Sequence, residues 1–329
     1  MSQTAVAKER LHRSELAVPA TSERFFHKAA QSKADVVFID LEDAVAPEHK
    51  PAARKKAIDA LNGVDWGNKT MAVRVNGFDS CWALDDIVDV VKHAPRLDLI
   101  LLPKANRADD LKFLDQLLTQ IERSQSSAKA VGIEALIETA LGVANVEQIA
   151  AASSRLEALI FGVGDYTVEM RTYDPVFGQP SERYAVLTGN QHSPDRQNHW
   201  NDQWHFAMAR IANACRANGL RPVDGPFTDF ADAQGYLSCA QRAAALGYEG
   251  KWAIHPTQID LANEVFSPTQ AQLDWAQHIQ LCMQQARESG NGAVADKGVL
   301  VDMAHLKQAQ ALIHRQTLIE RTHPVQQSI

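Results

Sequence analysis

Eight short apolar runs, rich in β-branched residues, recur along the chain, bounded by turn or charged residues and separated by longer amphipathic stretches. The expected strands are Leu16 to Val18, Val36 to Leu41, Met71 to Val75, Leu97 to Leu102, Ala130 to Ile137, Leu159 to Val163, Leu220 to Val223 and Lys251 to Ile254. Between them, Glu23 to Ala30, Pro51 to Leu61, Leu84 to His93, Ala108 to Arg123, Ala144 to Ala152, Trp204 to Asn218 and Ala231 to Leu246 are expected as helices. Such alternation is the mark of parallel βα units. Eight strands, in a chain of 329 residues, fit a (β/α)₈ TIM barrel with an added C-terminal segment. A flavodoxin-like open sheet would use about five or six strands and a shorter chain.

Two segments break the rhythm. Thr172 to Asp202, rich in Pro, Gly, Asn and Gln, reads as a long loop after the sixth strand, and long loops in compact domains tend to carry function. In the tail, Gln270 to Glu288 and Met303 to Thr322 read as two helices separated by a glycine-bearing hinge, Ser289 to Gly298. We therefore expect a catalytic barrel over residues 1–265 and a helical extension over 266–329, suited to a lid or to an arm onto a neighbouring subunit.

Composition narrows the partners. Lys and Arg total 33 against 40 Asp and Glu, a formal charge of −7, so no global basic field exists to hold nucleic acid or anionic lipid. No apolar run approaches the roughly 20 residues of a membrane span, and no signal-peptide pattern is evident. Cys81, Cys215, Cys239 and Cys282 are too dispersed for a C-x-x-C pair, which speaks against a zinc cage or a disulfide framework and fits a reducing cytoplasm.

Catalytic groups of such barrels sit at the C-terminal ends of the strands. Here those positions carry Asp40, Glu42, Asp43, Arg74, Asn76, Lys104, Glu138, Asp165, Asp224 and His255. Glu138 and Asp165 close adjacent strands, so the two carboxylates can share one hard cation such as Mg²⁺ and leave positions open for substrate. Either acid alone could equally cap a helix or pair with Arg74 or Lys104. Arg74 could hold a substrate carboxylate or a developing oxyanion, or form a salt bridge to Asp40 or Glu42. Glu42 and Asp43 read as groups that orient Arg74, Lys104 or water. His255 alone reads more simply as a satisfied strand-end histidine. The glycines beside Asp165 allow close backbone approach.

At these residues the sequence resembles the citrate lyase β-subunit-like (HpcH/HpaI aldolase) family, and within it the malyl-CoA and β-methylmalyl-CoA lyase group. The resemblance runs from about His12 to Ala311. It rests on Arg13 to Pro19, Asp40 to Pro47, Asp65 to Thr70, Arg74 to Gly77, Ile137 to Gly142, Asp224 to Phe227 and Gly250 to Pro256. It implies a carbon–carbon lyase with Mg²⁺, or Mn²⁺, on Glu138 and Asp165. Arg74, Glu42 and Asp43 would then belong to the catalytic set, with Arg74 also contacting substrate. Ala17, Val18, Lys28, Gly164, Asp165, Ile254 and His255 would line the acyl-CoA site. Asp302, otherwise a plain helix cap, corresponds to a lid aspartate that transfers a proton in a neighbouring subunit's site. The resemblance implies a trimer or hexamer acting on an acyl-CoA and a glyoxylate-type acid. A malyl-CoA thioesterase, a citramalyl-CoA lyase and a non-catalytic acyl-CoA-binding subunit are the alternatives. The sequence departs from the group over Tyr166 to Arg171, in the length of the following loop, and at Ala20, where many relatives carry glycine.

Overall fold

The computed structural model describes residues 9–125, 129–173, 175–190 and 192–323. Its first unit, Met1–Asn263, is organised around a closed parallel barrel. The strands are β1 (Ser14–Pro19), β2 (Val36–Asp40), β3 (Thr70–Arg74), β4 (Leu99–Leu102), β5 (Gly132–Ile137), β6 (Leu156–Phe161), β7 (Ala185–Thr188), β8 (Gln197–Trp200), β9 (Arg221–Asp224) and β10 (Gly250–Ala253). Strands β1 to β6, β9 and β10 form the barrel, which closes where β1 pairs with β10. Helices cover its outer face, so strands β2 to β6 are buried along their whole length and read as continuous apolar runs.

Alternation along each strand decides what faces the barrel axis. Val36 and Phe38, Ala72, Leu99 and Leu101, Leu136, Ala158 and Ile160, Val223 and Trp252 form one buried cluster inside the barrel. Phe38 and Trp252 meet there with ring centroids 4.5 Å apart. Two residues further along the same strands, the inward parity falls on Asp40, Arg74, Glu138, Gly162 and Ile254. The apolar plug thus hands over to a polar mouth within one step of the pleat.

The structure differs from the sequence reading where short elements hide in loops. The long loop carries the antiparallel hairpin β7–β8, with residues 174 and 191 outside the described set. The expected helix Ala144 to Ala152 is two short ones, Ala140–Ala144 and Val146–Ala150, because Asn145 leaves the helical region at φ −107° and ψ 8°. Strand β6 ends at Phe161 rather than Val163, and the helix Val163–Glu169 starts directly after Gly162.

The second unit, Glu264–Ile329, packs the helices Gln270–Glu288 and Met303–Thr322 around Ala276, Ile279, Met283, Val301, Leu306 and Ala309. The expected hinge contains a hairpin, β11 (Val294–Asp296) and β12 (Val299–Val301). Lys297 at φ 47° and Gly298 at φ 83° form its two-residue turn, a geometry that matches strand twist and explains the glycine. Residues 324–329 of the expected extension lie outside the described residues.

Candidate active site

A cavity of about 480 Å³ opens at the C-terminal ends of the barrel strands. Phe38, Leu136, Phe177 and Trp252 give it apolar walls, and Asp40, Asp43, Arg74, Glu138 and Asp165 supply its charge. A concave, mostly apolar site with few converging polar groups is the usual form of a small-molecule pocket.

Register sets the first charged pair, since Asp40 and Arg74 are direct neighbours at the ends of β2 and β3. Arg74 Nε and Nη2 donate to the two oxygens of Asp40 at 2.7 and 2.6 Å, a bidentate fork. Its Nη1 stands 3.1 Å from Glu42 and 3.6 Å from Asp43, and its guanidinium lies 5.6 Å from the Trp252 ring centre. Burial disfavours the charge on Arg74, but Asp40, Glu42 and Asp43 outweigh it and hold its pKa above the ordinary value. The other Glu42 oxygen accepts from Lys104 Nζ at 3.0 Å. Burial raises the Glu42 carboxyl, a shift that Arg74 opposes. Glu42 and Asp43 therefore hold the cations, while Asp43 alone of the two lines the cavity.

Glu138 follows β5, and Gly162 follows its neighbour β6. The Glu138 side chain lies so close over Gly162 that a Cβ there would stand 2.4 Å from Glu138 Cβ and 2.6 Å from Oε2. Only glycine leaves that space. Glu138 Oε1 accepts the backbone N–H of Lys104 at 2.7 Å, and Lys104 takes φ 50° to present it. Burial raises the Glu138 carboxyl well above its usual range, with Glu42 and Asp165 adding like-charge repulsion. Asp165 lies in the first turn of the helix Val163–Glu169, half-buried and facing the same cavity. Two acids gathered at one mouth, one of them buried, are the donor set of a hard divalent cation, which would relieve both the burial and the repulsion.

Of the other expected site residues, Ala17, Gly164 and Ile254 line this cavity. Val18, Lys28 and His255 do not line it. Val18 has the outward parity of β1 and is buried under the helix layer, whereas Lys28 is exposed on the helix Glu23–Ala30. His255, one step past inward-facing Ile254, stacks on Phe230 at 4.8 Å and its Nδ1 meets Thr257 Oγ1 at 2.9 Å. Asp224 also leaves the rim set. It faces outward, where Lys251 Nζ donates to it at 2.6 Å under the Tyr236 ring. Strand ends alone miss Trp252 and Phe177; parity would have found Trp252, but Phe177 comes from the long loop and had no signal.

Asp302 belongs to the second unit, where it caps the helix Met303–Thr322. Its Oδ1 accepts from Ala304 N at 3.0 Å and stands 2.9 Å from His305 Nδ1. The His305 bond, then the Ala304 N–H, hold its carboxyl below the usual range.

Residues 13–256 match the sequence profile of the HpcH/HpaI aldolase/citrate lyase family. The chain belongs to this family. Among aldolase/citrate lyase relatives, the L-malyl-CoA/β-methylmalyl-CoA lyase of Cereibacter sphaeroides is 44% identical over 311 residues, covering 94% of this chain and 96% of the relative. The malyl-CoA/β-methylmalyl-CoA/citramalyl-CoA lyase of Chloroflexus aurantiacus is 34% identical over 294 residues, 88% of this chain and 83% of that one. The CitE protein of Mycobacterium tuberculosis, solved with magnesium, acetoacetate and coenzyme A, has a TM-score of 0.70 at 26% identity, covering 93% of this chain and 98% of its own. A citrate lyase from Burkholderia xenovorans reaches a TM-score of 0.78 at 22% identity, covering 95% and 93%, which shows the shared fold. Among the described residues, no helix of this family member is long and apolar enough to cross a membrane.

Proposed function

We propose that this chain is a magnesium-dependent carbon–carbon lyase that cleaves malyl-CoA or β-methylmalyl-CoA into glyoxylate and acetyl-CoA or propionyl-CoA, and runs the reverse condensation. The observation that carries this reading is the Glu138–Asp165 pair beside a fixed arginine in a cavity with apolar walls. Kinship with lyases of those names supports the substrate class. Glu138 and Asp165 would hold Mg²⁺, or Mn²⁺ in the same role. Bound there, the ion supplies a Lewis acid for the oxygens of the α-oxo acid.

The rest of the chemistry is assigned to side chains of this chain. Arg74, locked by Asp40, presents fixed positive charge to the substrate as the carbon–carbon bond breaks, with no reorganisation at that moment. Glu42 and Asp43 keep that guanidinium and Lys104 in position. Phe38, Leu136 and Trp252 exclude water, protecting the enolate and the thioester. In the condensation direction, ionised Asp302 takes the proton from the thioester α-carbon while the new alkoxide gains one from water; in cleavage the hydroxyl proton is lost to water and Asp302 delivers one to the α-carbon. Ala17, the backbone around Val18, Lys28, Gly164, Ile254 and His255 are assigned to the acyl-CoA, with Lys28 and His255 meeting its longer part beyond the cavity.

Asp302 is carried by the tail unit, and in this reading it completes the site of a neighbouring subunit in a homo-oligomer, a trimer or hexamer. Four unpaired cysteines support a reducing cytoplasm as the setting. Citramalyl-CoA is a second candidate substrate, because the Chloroflexus relative is named for it. Steady-state assays with malyl-, β-methylmalyl- and citramalyl-CoA, following both product halves, test the reading. An acyl-CoA paired with glyoxylate is expected from the first two substrates, and pyruvate with acetyl-CoA marks the citramalyl activity. Free malate with CoA would make the protein a thioesterase instead.

A further inference from the structure

The tail unit carries a second set of metal-ligating side chains that the barrel chemistry does not use. His278 and Cys282 are one helical turn apart on the helix Gln270–Glu288 and share a face. Asp296, the last residue of β11, meets them from the hairpin. His278 Nε2 lies 2.8 Å from Asp296 Oδ2 and 3.4 Å from Cys282 Sγ, and the ligand atoms of all three fall within 4.8 Å of one another.

The arrangement does not suit a nucleophilic triad. In a triad the acid orients one imidazole nitrogen and the other takes the proton of the nucleophile. Here the nitrogen that meets the carboxylate, Nε2, is also the one nearer the thiol, at 3.4 Å against 4.0 Å for Nδ1. Imidazole, thiol and carboxylate ligand atoms gathered within 4.8 Å are the pattern of a coordination site.

We propose that His278, Cys282 and Asp296 form a site for a borderline-soft divalent metal, Zn²⁺ foremost. Thiolate, imidazole and carboxylate are the three side-chain ligand types of zinc, with bonds of roughly 2.3, 2.0 and 2.0 Å. In a tetrahedron those lengths put the nitrogen and sulfur about 3.5 Å apart and the nitrogen and oxygen about 3.3 Å apart. The 3.4 Å observed between sulfur and nitrogen is close to the first separation, but Nδ1 at 4.0 Å places the sulfur over the ring, so the imidazole has to turn toward a shared metal and the 2.8 Å hydrogen bond has to open by about half an ångström. All three side chains are partly exposed, so the metal has a way in. A cavity of about 410 Å³ beside them, bordered by Asp274, Trp275 and His305, leaves room for a solvent ligand.

Occupancy ties the helix Gln270–Glu288 to the hairpin β11–β12, whose last residue Val301 leads directly into Asp302. The site therefore fixes the segment that carries Asp302. It stands independently of the assignment of Glu138 and Asp165.

Co²⁺ titration of the reduced full chain in excess Mg²⁺ tests the proposal. A thiolate-to-cobalt band in the near ultraviolet, saturating at one ion per chain and bleached by Zn²⁺, is expected. An all-oxygen site such as Glu138 and Asp165 has no sulfur to give that band. The isosteric C282S should abolish the band, and D296N, which keeps the thiol, should weaken binding at least about tenfold. Far-UV circular dichroism identifies any variant that fails to fold. Absence of the band in the wild type, or its persistence in C282S, overturns the proposal.

Discussion

Arg74 is held by four contacts to three carboxylates, and that sets what its replacement does. R74A strands Asp40 and Glu42 in a buried pocket, and removing one member of a buried ion pair costs about 3–5 kcal/mol. R74K keeps the charge but loses the fork, so we expect a folded protein with strongly reduced kcat, measured by single-substrate kinetics beside a melting curve. E138Q removes one of the two carboxylates proposed to hold the metal. Turnover should fall by about 10³-fold or more at unchanged fold, because the Lewis acid is worth several kcal/mol. A second acid, Glu134, sits at the opposite end of the barrel on the same inward parity as Leu136 and Glu138. Burial raises its carboxyl to about 8 from 4.5, and the neighbouring Glu15 to about 7. Both folded values exceed the unfolded ones, so the stability they contribute is full below about pH 4.5 and is lost as pH rises through about 7 to 8. E134Q should melt several degrees above the wild type at about pH 9 and differ little at about pH 5. The same melting temperature difference at both pH values would contradict the assigned protonation. At this scale the sequence reveals the charged residues of the mouth through strand ends. It does not reveal that Asp224 turns outward onto Lys251, because one residue of register decides the face.

The elements position these groups through two local devices. Gly162 is the single residue between β6 and the helix Val163–Glu169, and the Glu138 side chain occupies the space where its Cβ would be. G162A should therefore push Glu138 aside. We expect weaker Mg²⁺ binding, read as a raised metal concentration for half-maximal activity, with a smaller change in thermal stability. The eight barrel strands were legible, most plainly β2 to β6, where burial on both faces writes near-continuous apolar runs. The helices Val163–Glu169 and Thr257–Val265 were not, since the first follows its strand after one glycine and the second is short and follows Pro256. The hairpins β7–β8 and β11–β12 escaped for another reason. Their strands are three or four residues long and mostly exposed, so stretches such as Ala185–Thr188 and Val299–Val301 are too short to stand out as strands, although Lys297-Gly298 announces a turn.

At the level of the molecule, the proposed function divides the work between a barrel that would hold metal and substrate and a tail that would carry the proton-transfer group. D302N should lose turnover while keeping Mg²⁺ and CoA affinity. If Asp302 serves a neighbouring subunit, then mixing D302N with E138Q under conditions that exchange subunits should restore activity that neither variant has alone. No recovery after demonstrated exchange would rule out the trans arrangement. The sequence pointed to the tail helices through their periodicity, but the role of Asp302 came only from resemblance, since a helix cap at its position needs no other purpose. The central claim is metal-dependent carbon–carbon cleavage, and product release from malyl-CoA by chelator-stripped protein tests it most directly. We predict no turnover without metal, and equal amounts of glyoxylate and acetyl-CoA once Mg²⁺ is restored. Full turnover by the stripped protein, or malate and free CoA as the products, would contradict the account.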